Sequence, residues 1–295
     1  MTTILGFPAQ ALFGQLLLGL INGSFYALLS LGLAIIFGLL NIINFAHGAL
    51  YMAGAFVAWI LLNDLGLGYW QALVLAPVIV GLFGVLIEKS LLSRLYKLDH
   101  LYGLLLTFGL ALIIQGVFRL KYGVSGLPYA VPAELQGGTK LPFMYLPTYR
   151  GWVVVASIVV CLATWLLIEK TKLGSYLRAA TENPKLVQTF GVNVPLLLTL
   201  TYAFGVGLAA LAGVLAAPIY SVSPNMGADI IIVVFAVVVI GGMGSIMGSI
   251  VTGFGLGLVE GLTKVFYPQG SSTVIFVIMA IVLLAKPAGL FGRSA

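Results

Sequence analysis

EKTKLGSYLRAATENPKLVQTFGVNVP, Glu169 to Pro195, is one long polar segment in a 295-residue chain that is otherwise almost free of charge. Glu169, Lys170, Lys172, Arg178, Glu182 and Lys185 crowd into 17 residues of it. Only 7% of the whole chain is Asp, Glu, Lys or Arg, against about 25% in an average soluble domain. Long apolar runs flank the segment on both sides. A loop that gathers charge in such a chain is placed to meet water and whatever the water carries.

Outward from that loop, the chain is 61% hydrophobic, more than a soluble core needs, so the lipid bilayer is its expected solvent. The first charged residue is Asp64 and the next Glu88. With about 20 apolar residues per crossing, the stretch before Asp64 holds two spans. The runs read as Ala11–Leu39, Ile43–Leu62, Trp70–Leu92, Leu101–Leu120, Trp152–Ile168, Leu196–Ala217, Ile230–Ile240, Ile250–Phe266 and Val274–Ala285. The first is long and Gly-rich, as a tilted helix or one followed by a break would be. Ile230–Ile240 is short and either continues toward Gly248 or forms a half-helix. The expected fold is all-α and polytopic, with eight to nine transmembrane helices in a single domain over residues 1–295. A polar loop at about 169–195 and an outward loop at about 121–151 interrupt it.

Basic residues set the orientation. Lys89, Arg94 and Lys97 flank one short loop, four more basic residues lie in the 169–195 segment, and Lys286 and Arg293 follow the last run. Nine spans place all three groups in the cytoplasm and the N-terminus outside. The outward loop then carries Pro128, Pro132, Pro142 and Pro147, with Lys140 and Arg150 as its own cations. No basic residue precedes Lys89, so no cleavable signal peptide is expected. The net charge of +6 is scattered at span ends, which points to topology and not to nucleic acid. The lone Cys161 excludes a disulfide framework within the chain and reads as a small core residue.

Polar side chains inside the runs are costly unless paired or facing a cavity. Asn41, Asn44 and His47 stand together in NIINFAHGALYMAGAF, Asn41 to Phe56. They mark either a broken helix beside a translocation path or a cap at a helix end. Asn22 and Gln115 face a path or bond a neighbouring helix. Glu260 and Lys264, four apart, are expected to pair. Asp229 reads as the cap of the helix after it. No set of His, Cys or carboxylate residues has metal-ligand spacing, and His47 and His100 lie too far apart to share one ion. There is no GxxxxGK[ST] phosphate loop and no nucleophile–base pair. The chain is therefore expected to bind no cofactor and to be no enzyme.

Glycines recur every fourth residue at Gly19/Gly23, Gly244/Gly248 and Gly253/Gly257/Gly261, a spacing that lets helix backbones approach. Gly241, Gly242 and Gly244, clustered around Met243, read as a break between helices. Within the polar loop, Asn183-Pro184 starts a helix and Gly191 stops it. That two-turn helix, Pro184 to Phe190, puts Leu186, Val187 and Phe190 on one side. It is too short to stand alone in water, so it rests on the membrane surface or docks into a partner.

The segment resembles the coupling loop of permease subunits from branched-chain amino acid ABC transporters. Its matches are Gly174, the Arg178-Ala179 pair, Asn183 and Gly191-Val192-Asn193. NFAHGALYMAGAF at Asn44–Phe56 resembles an N-terminal hallmark of that family, and GGMGSIMGS at Gly241–Ser249 its Gly-rich C-terminal segment. The three stand in the family's order. The chain departs from many relatives at Val187-Gln188, where they carry a small residue. Its size and polar N-terminal segment are similar to the shorter, H-type permease.

The resemblance implies an ATP-driven importer in the cell's inner membrane. Two permease subunits, this one and a different partner, enclose the path amid membrane lipid. An extracytoplasmic binding protein delivers the solute. Two cytoplasmic subunits bind and hydrolyse ATP and dock on the short coupling helix, with Arg178 and Glu182 as salt-bridge partners. The implied solute is a branched-chain or other neutral amino acid. Related permeases move urea, amides or other small solutes. A stand-alone secondary transporter would be expected to carry ion-coupling charges inside the spans.

Overall fold

The computed structural model describes residues 3–4, 7–40, 42–96 and 98–292. In chain order its helices begin with α1 (Ala9–Leu40), α2 (Ala46–Asn63), α3 (Tyr69–Ser90), α4 (His100–Tyr122) and α5 (Thr148–Glu169). They continue with α6 (Lys172–Glu182), α7 (Pro184–Thr189), α8 (Val194–Tyr220), α9 (Met226–Gly241), α10 (Ile246–Phe266) and α11 (Val274–Ala285). Seven of these, α1 to α5, α8 and α10, are long and apolar enough to cross a membrane, and α9 and α11 are apolar but shorter. The chain is an all-α, multi-pass membrane protein. Among the described residues the strands form small hairpins, one of which pairs Gly138–Lys140 with Tyr145–Pro147 in the long loop before α5, and an isolated bridge joins Leu127 to Val222.

Nine helices fall on the nine apolar runs. The differences sit at their ends. At 1.5 Å per residue, the 16 residues of α9 reach about 24 Å, less than the roughly 30 Å hydrocarbon core. This helix begins at Met226, before the apolar run does, because the chain already turns helically at Asn225. Asp229 is thus an exposed residue of the first turn, not a cap. Its carboxylate there meets the positive end of the helix dipole.

The chain divides into two compact units. One comprises Met1–Ser30, Val131–Cys161 and Val233–Ala295. In it the four-residue glycine series meet one another. A Cβ at Gly257 would strike the backbone of Gly19 and Gly23, and one at Gly253 the backbone of Ala27. Without side chains there, α1 and α10 touch backbone to backbone. Gly244 does not share a helix face with Gly248, since it lies in the turn before α10 at φ +82°. Tyr26 donates to Glu260 Oε2 at 2.7 Å, and Lys264 Nζ stands 2.5 Å from Glu260 Oε1. Both oxygens of a carboxylate only 9% exposed are thereby satisfied, as burial of a charge requires.

The second unit comprises Leu31–Ala130 and Leu162–Ile232. Its centre is α2, packed on α8, α3 and α4, with α3 also packed on α8. Gly54 of α2 lies on the backbone of Ala210, and Gly213 of α8 on the carbonyl of Tyr51. Any side chain at either position would push the two helices apart. Glu88, at the end of α3 and 2% exposed, accepts hydrogen bonds from Tyr96 and Thr199, each at 2.6 Å. Burial, and then the bond to Glu88, keeps the Tyr96 phenol protonated well above its ordinary range.

Candidate functional site

The polar loop folds into two short helices. Asn183 ends α6 and starts α7, its Oδ1 accepting the Leu186 N–H at 3.0 Å with Pro184 in the first turn. Asn193 repeats the device for α8, accepting from Leu196 at 3.1 Å. Gly191 makes the turn between α7 and α8 at φ +83°. Each cap satisfies an amide that a helix end leaves bare.

The sequence showed α7 but not α6. Lys172–Glu182 is polar on most of its surface, and its inward face is only Gly174, Leu177 and Ala180. Gly174 lies so close to the Ile168 carbonyl that a Cβ could not be placed there. Arg178 closes the same corner through Glu169, at 3.2 Å. Its partner within the chain is thus Glu169 across the α5–α6 turn. Glu182 and Ala179 are both exposed.

The face expected of α7 is divided. Val187 turns inward onto Ala180 and Val194. Leu186 and Phe190, 53% and 79% exposed, turn out. At 100° per residue, positions four apart share a face while 187 leans away from it. Two apolar side chains thus stand exposed on a mostly polar element.

The polar path candidates separate. Asn41 lies outside the described residues. Asn22 is half-buried on α1 and holds interactions there. Asn44 lies in the non-helical link between α1 and α2, fully buried, its Nδ2 donating to Tyr202 Oη at 3.2 Å. The same link is held by Thr107 of α4, which accepts from the Phe45 N–H at 3.2 Å and reaches the Ile43 carbonyl at 3.0 Å. Irregular backbone at membrane depth persists where such partners replace water. His47 is buried in the first turn of α2, its ring against Gly32.

Gln115 lines a cavity. The cavity has a volume of about 230 Å³ and lies within the second unit. Phe45, Gly48, Ala49 and Met52 form one wall and Phe108, Ala111, Leu112 and Gln115 another. Both follow the i, i+3, i+4, i+7 spacing of one helix face. Gly227, Ala228, Ile231 and Ile232 at the start of α9 complete it with Pro224. Gln115 Nε2 donates to Asn225 Oδ1 at 3.0 Å, and Arg119 Nη2, one turn further along α4, donates to the same oxygen at 2.9 Å. Asn225 and Arg119 escaped sequence reading because each sits at a run's edge, where a polar residue is unremarked. Among the described residues no three His, Cys, Asp or Glu side chains gather as metal ligands.

In the first unit the glycine cluster separates α9 from α10. Gly242 and Gly244 take φ of +101° and +82°, and Ser245 caps α10 by accepting from Gly248 at 3.1 Å. The segment after α11 folds back here. Leu290 donates to the Ile240 carbonyl at 2.8 Å and Phe291 to that of Gly241 at 3.1 Å.

Residues 15–284 match the family described as branched-chain amino acid transport system, permease component. The chain is 31% identical over 292 residues to the high-affinity branched-chain amino acid permease protein BraD of Pseudomonas aeruginosa, covering 95% of each. It is 29% identical over 294 residues to LivH of Salmonella typhimurium, again covering 95% of each. A probable branched-chain amino acid transport permease of Methanocaldococcus jannaschii is 30% identical over 293 residues, 92% of this chain and 90% of that one. No solved structure matches the chain.

Proposed function

The chain belongs to the family of branched-chain amino acid transport permease components, and from that premise we propose that it is one permease subunit of an ATP-driven importer of neutral amino acids. A second, different permease completes the path, and two cytoplasmic ATP-binding subunits drive it. A binding protein outside delivers the solute. The loop of α6 and α7 faces the cytoplasm with the end of α11, in a bacterial inner membrane or its equivalent, and the N-terminus faces out. The basic residues around this loop and after α3 support that orientation.

The observation that carries the reading is the pair Leu186 and Phe190, exposed on a two-turn helix whose third apolar residue is buried beneath it. Apolar anchors on a rigid element suit a groove on a partner. Movement of α7 would reach two helices at once. The Gly174 turn and the Arg178–Glu169 pair tie α6 to α5, while Val187, Val194 and the Gly191 turn tie α7 to α8. A shape change in an ATP-binding subunit is thereby converted into displacement of α5 and α8 ends.

Replacing Pro184–Phe190 by a Gly/Ser linker tests this. Tagged protein drawn from membranes in mild detergent should lose its ATP-binding subunits while its membrane insertion is retained. Undiminished ATP-dependent uptake by the linker variant would overturn the docking role.

A further inference from the structure

The importer reading gives no role to the rim of the cavity among α2, α4 and α9. That rim carries a guanidinium bonded to one amide. Arg119 is exposed, and its described side-chain bond is the one to Asn225 Oδ1. A guanidinium has five N–H donors, so most of its bonding capacity remains. Asn225 has its oxygen taken by Gln115 and Arg119, and its Nδ2 donates to no described residue.

Below the rim the walls are apolar except for Gln115. A cavity of about 230 Å³ holds about eight water-sized groups. That accommodates an aliphatic amino acid side chain with part of its backbone.

Resting on the importer reading, we propose that a neutral amino acid with an aliphatic side chain stops here in transit. Its side chain fills the space beside Ala111 and Ala228, and its carboxylate takes Arg119 and the Asn225 amide. The contact with Asn225 holds the guanidinium at the rim before the solute arrives, and a pre-positioned donor loses less freedom on binding.

The test uses the assembled importer in proteoliposomes with saturating loaded binding protein, reading ATP-dependent uptake of labelled leucine and alanine. Ala111→Phe fills the cavity and should cut leucine uptake by about tenfold or more, and alanine uptake less. If that variant does not assemble by size-exclusion chromatography, Ala228→Leu takes its place with the same expected selectivity. Arg119→Met should lower uptake of both by about tenfold or more, with partial recovery in Arg119→Lys. Lys121→Met, the same charge removal at the same helix end, should match wild type. Unchanged uptake and an unchanged leucine-to-alanine ratio in the assembled cavity and Arg119 variants would overturn the transit site and leave the importer standing. A phospholipid seen by native mass spectrometry and displaced by Ala111→Phe, with uptake intact, would overturn it equally. Absence of amino acid uptake by the wild-type importer would overturn the importer reading itself.

Discussion

The crossing of α2 and α8 and the loop of α6 and α7 are held by opposite means. At the crossing, side chains are missing. Gly54 and Gly213 bring backbones together, and the surrounding residues, such as Leu50, Ala55, Ala209 and Ala212, are fully buried. In the loop, few apolar groups are covered. Two asparagine caps, one ion pair and a buried Val187 hold two short helices whose outer surface stays wet. Packing of the first kind has no alternative arrangement nearby, because interiors are dense and resist small volume changes. The second kind keeps its shape by replaceable bonds, each worth about 1 kcal/mol. Under the proposed coupling role, the element that is pushed is of the second kind and the frame around it of the first.

The largest effect should follow from breaking the frame. Gly54→Leu would force a side chain into the Ala210 backbone and should remove most folded protein. Fluorescence-detected size-exclusion chromatography in mild detergent would show this, and a wild-type peak would mean that the crossing is looser than it looks.

Phe190→Ser should leave the folded chain within about 0.5 kcal/mol of wild-type stability, as for other surface changes. Its affinity for the ATP-binding subunits should nonetheless drop by about tenfold, read in a titrated pull-down. Equal loss of stability and association would erase the contrast between frame and loop.

Asn183→Ala removes a cap and should cost α7 about 1 kcal/mol. Faster amide exchange confined to residues 184–190 is the expected signature, and exchange spreading into α8 would join the two regions into one cooperative unit.

The smallest effect concerns a buried hydroxyl on the packed side. Tyr129 Oη, in the loop after α4, has no described hydrogen-bond partner, and burial pushes its phenol up to about 12 from an ordinary 10. The folded state therefore holds that proton longer than the unfolded one does. Its stabilising contribution is complete below pH 10 and is lost as pH rises from 10 to 12. Tyr129→Phe should change little at neutral pH and should flatten the fall in melting temperature across that window.

The helices were legible because a bilayer demands about 20 apolar residues in a row, and such runs announce themselves. The caps of α7 were legible for a similar reason, since Asn-Pro and Gly act within about three residues of their own position. What stayed hidden depends on distant partners. The unwound link after α1 is held by Thr107 and Tyr202, 62 and 158 residues from the groups they bond. Neither is unusual in its own run. Gln115 drew notice as an amide inside a span, yet Asn225 and Arg119, which turn it into a rim, sit where polar residues are ordinary. The α6 helix showed no long apolar stripe because its buried face is only Gly174, Leu177 and Ala180. Leu186 and Val187 are neighbours in sequence, and only the position of Ala180 decides which of them turns inward.

The fold-back onto α9 has a temporal side. The carbonyls of Ile240 and Gly241 receive their donors from Leu290 and Phe291, some 50 residues downstream. At roughly 5–20 residues per second on the ribosome, α9 is made about 3–10 s before the amides that close its end. During that interval the helix terminus needs water or the insertion machinery as a temporary partner. The amides that close the end of α9 therefore arrive only after translation has passed it by.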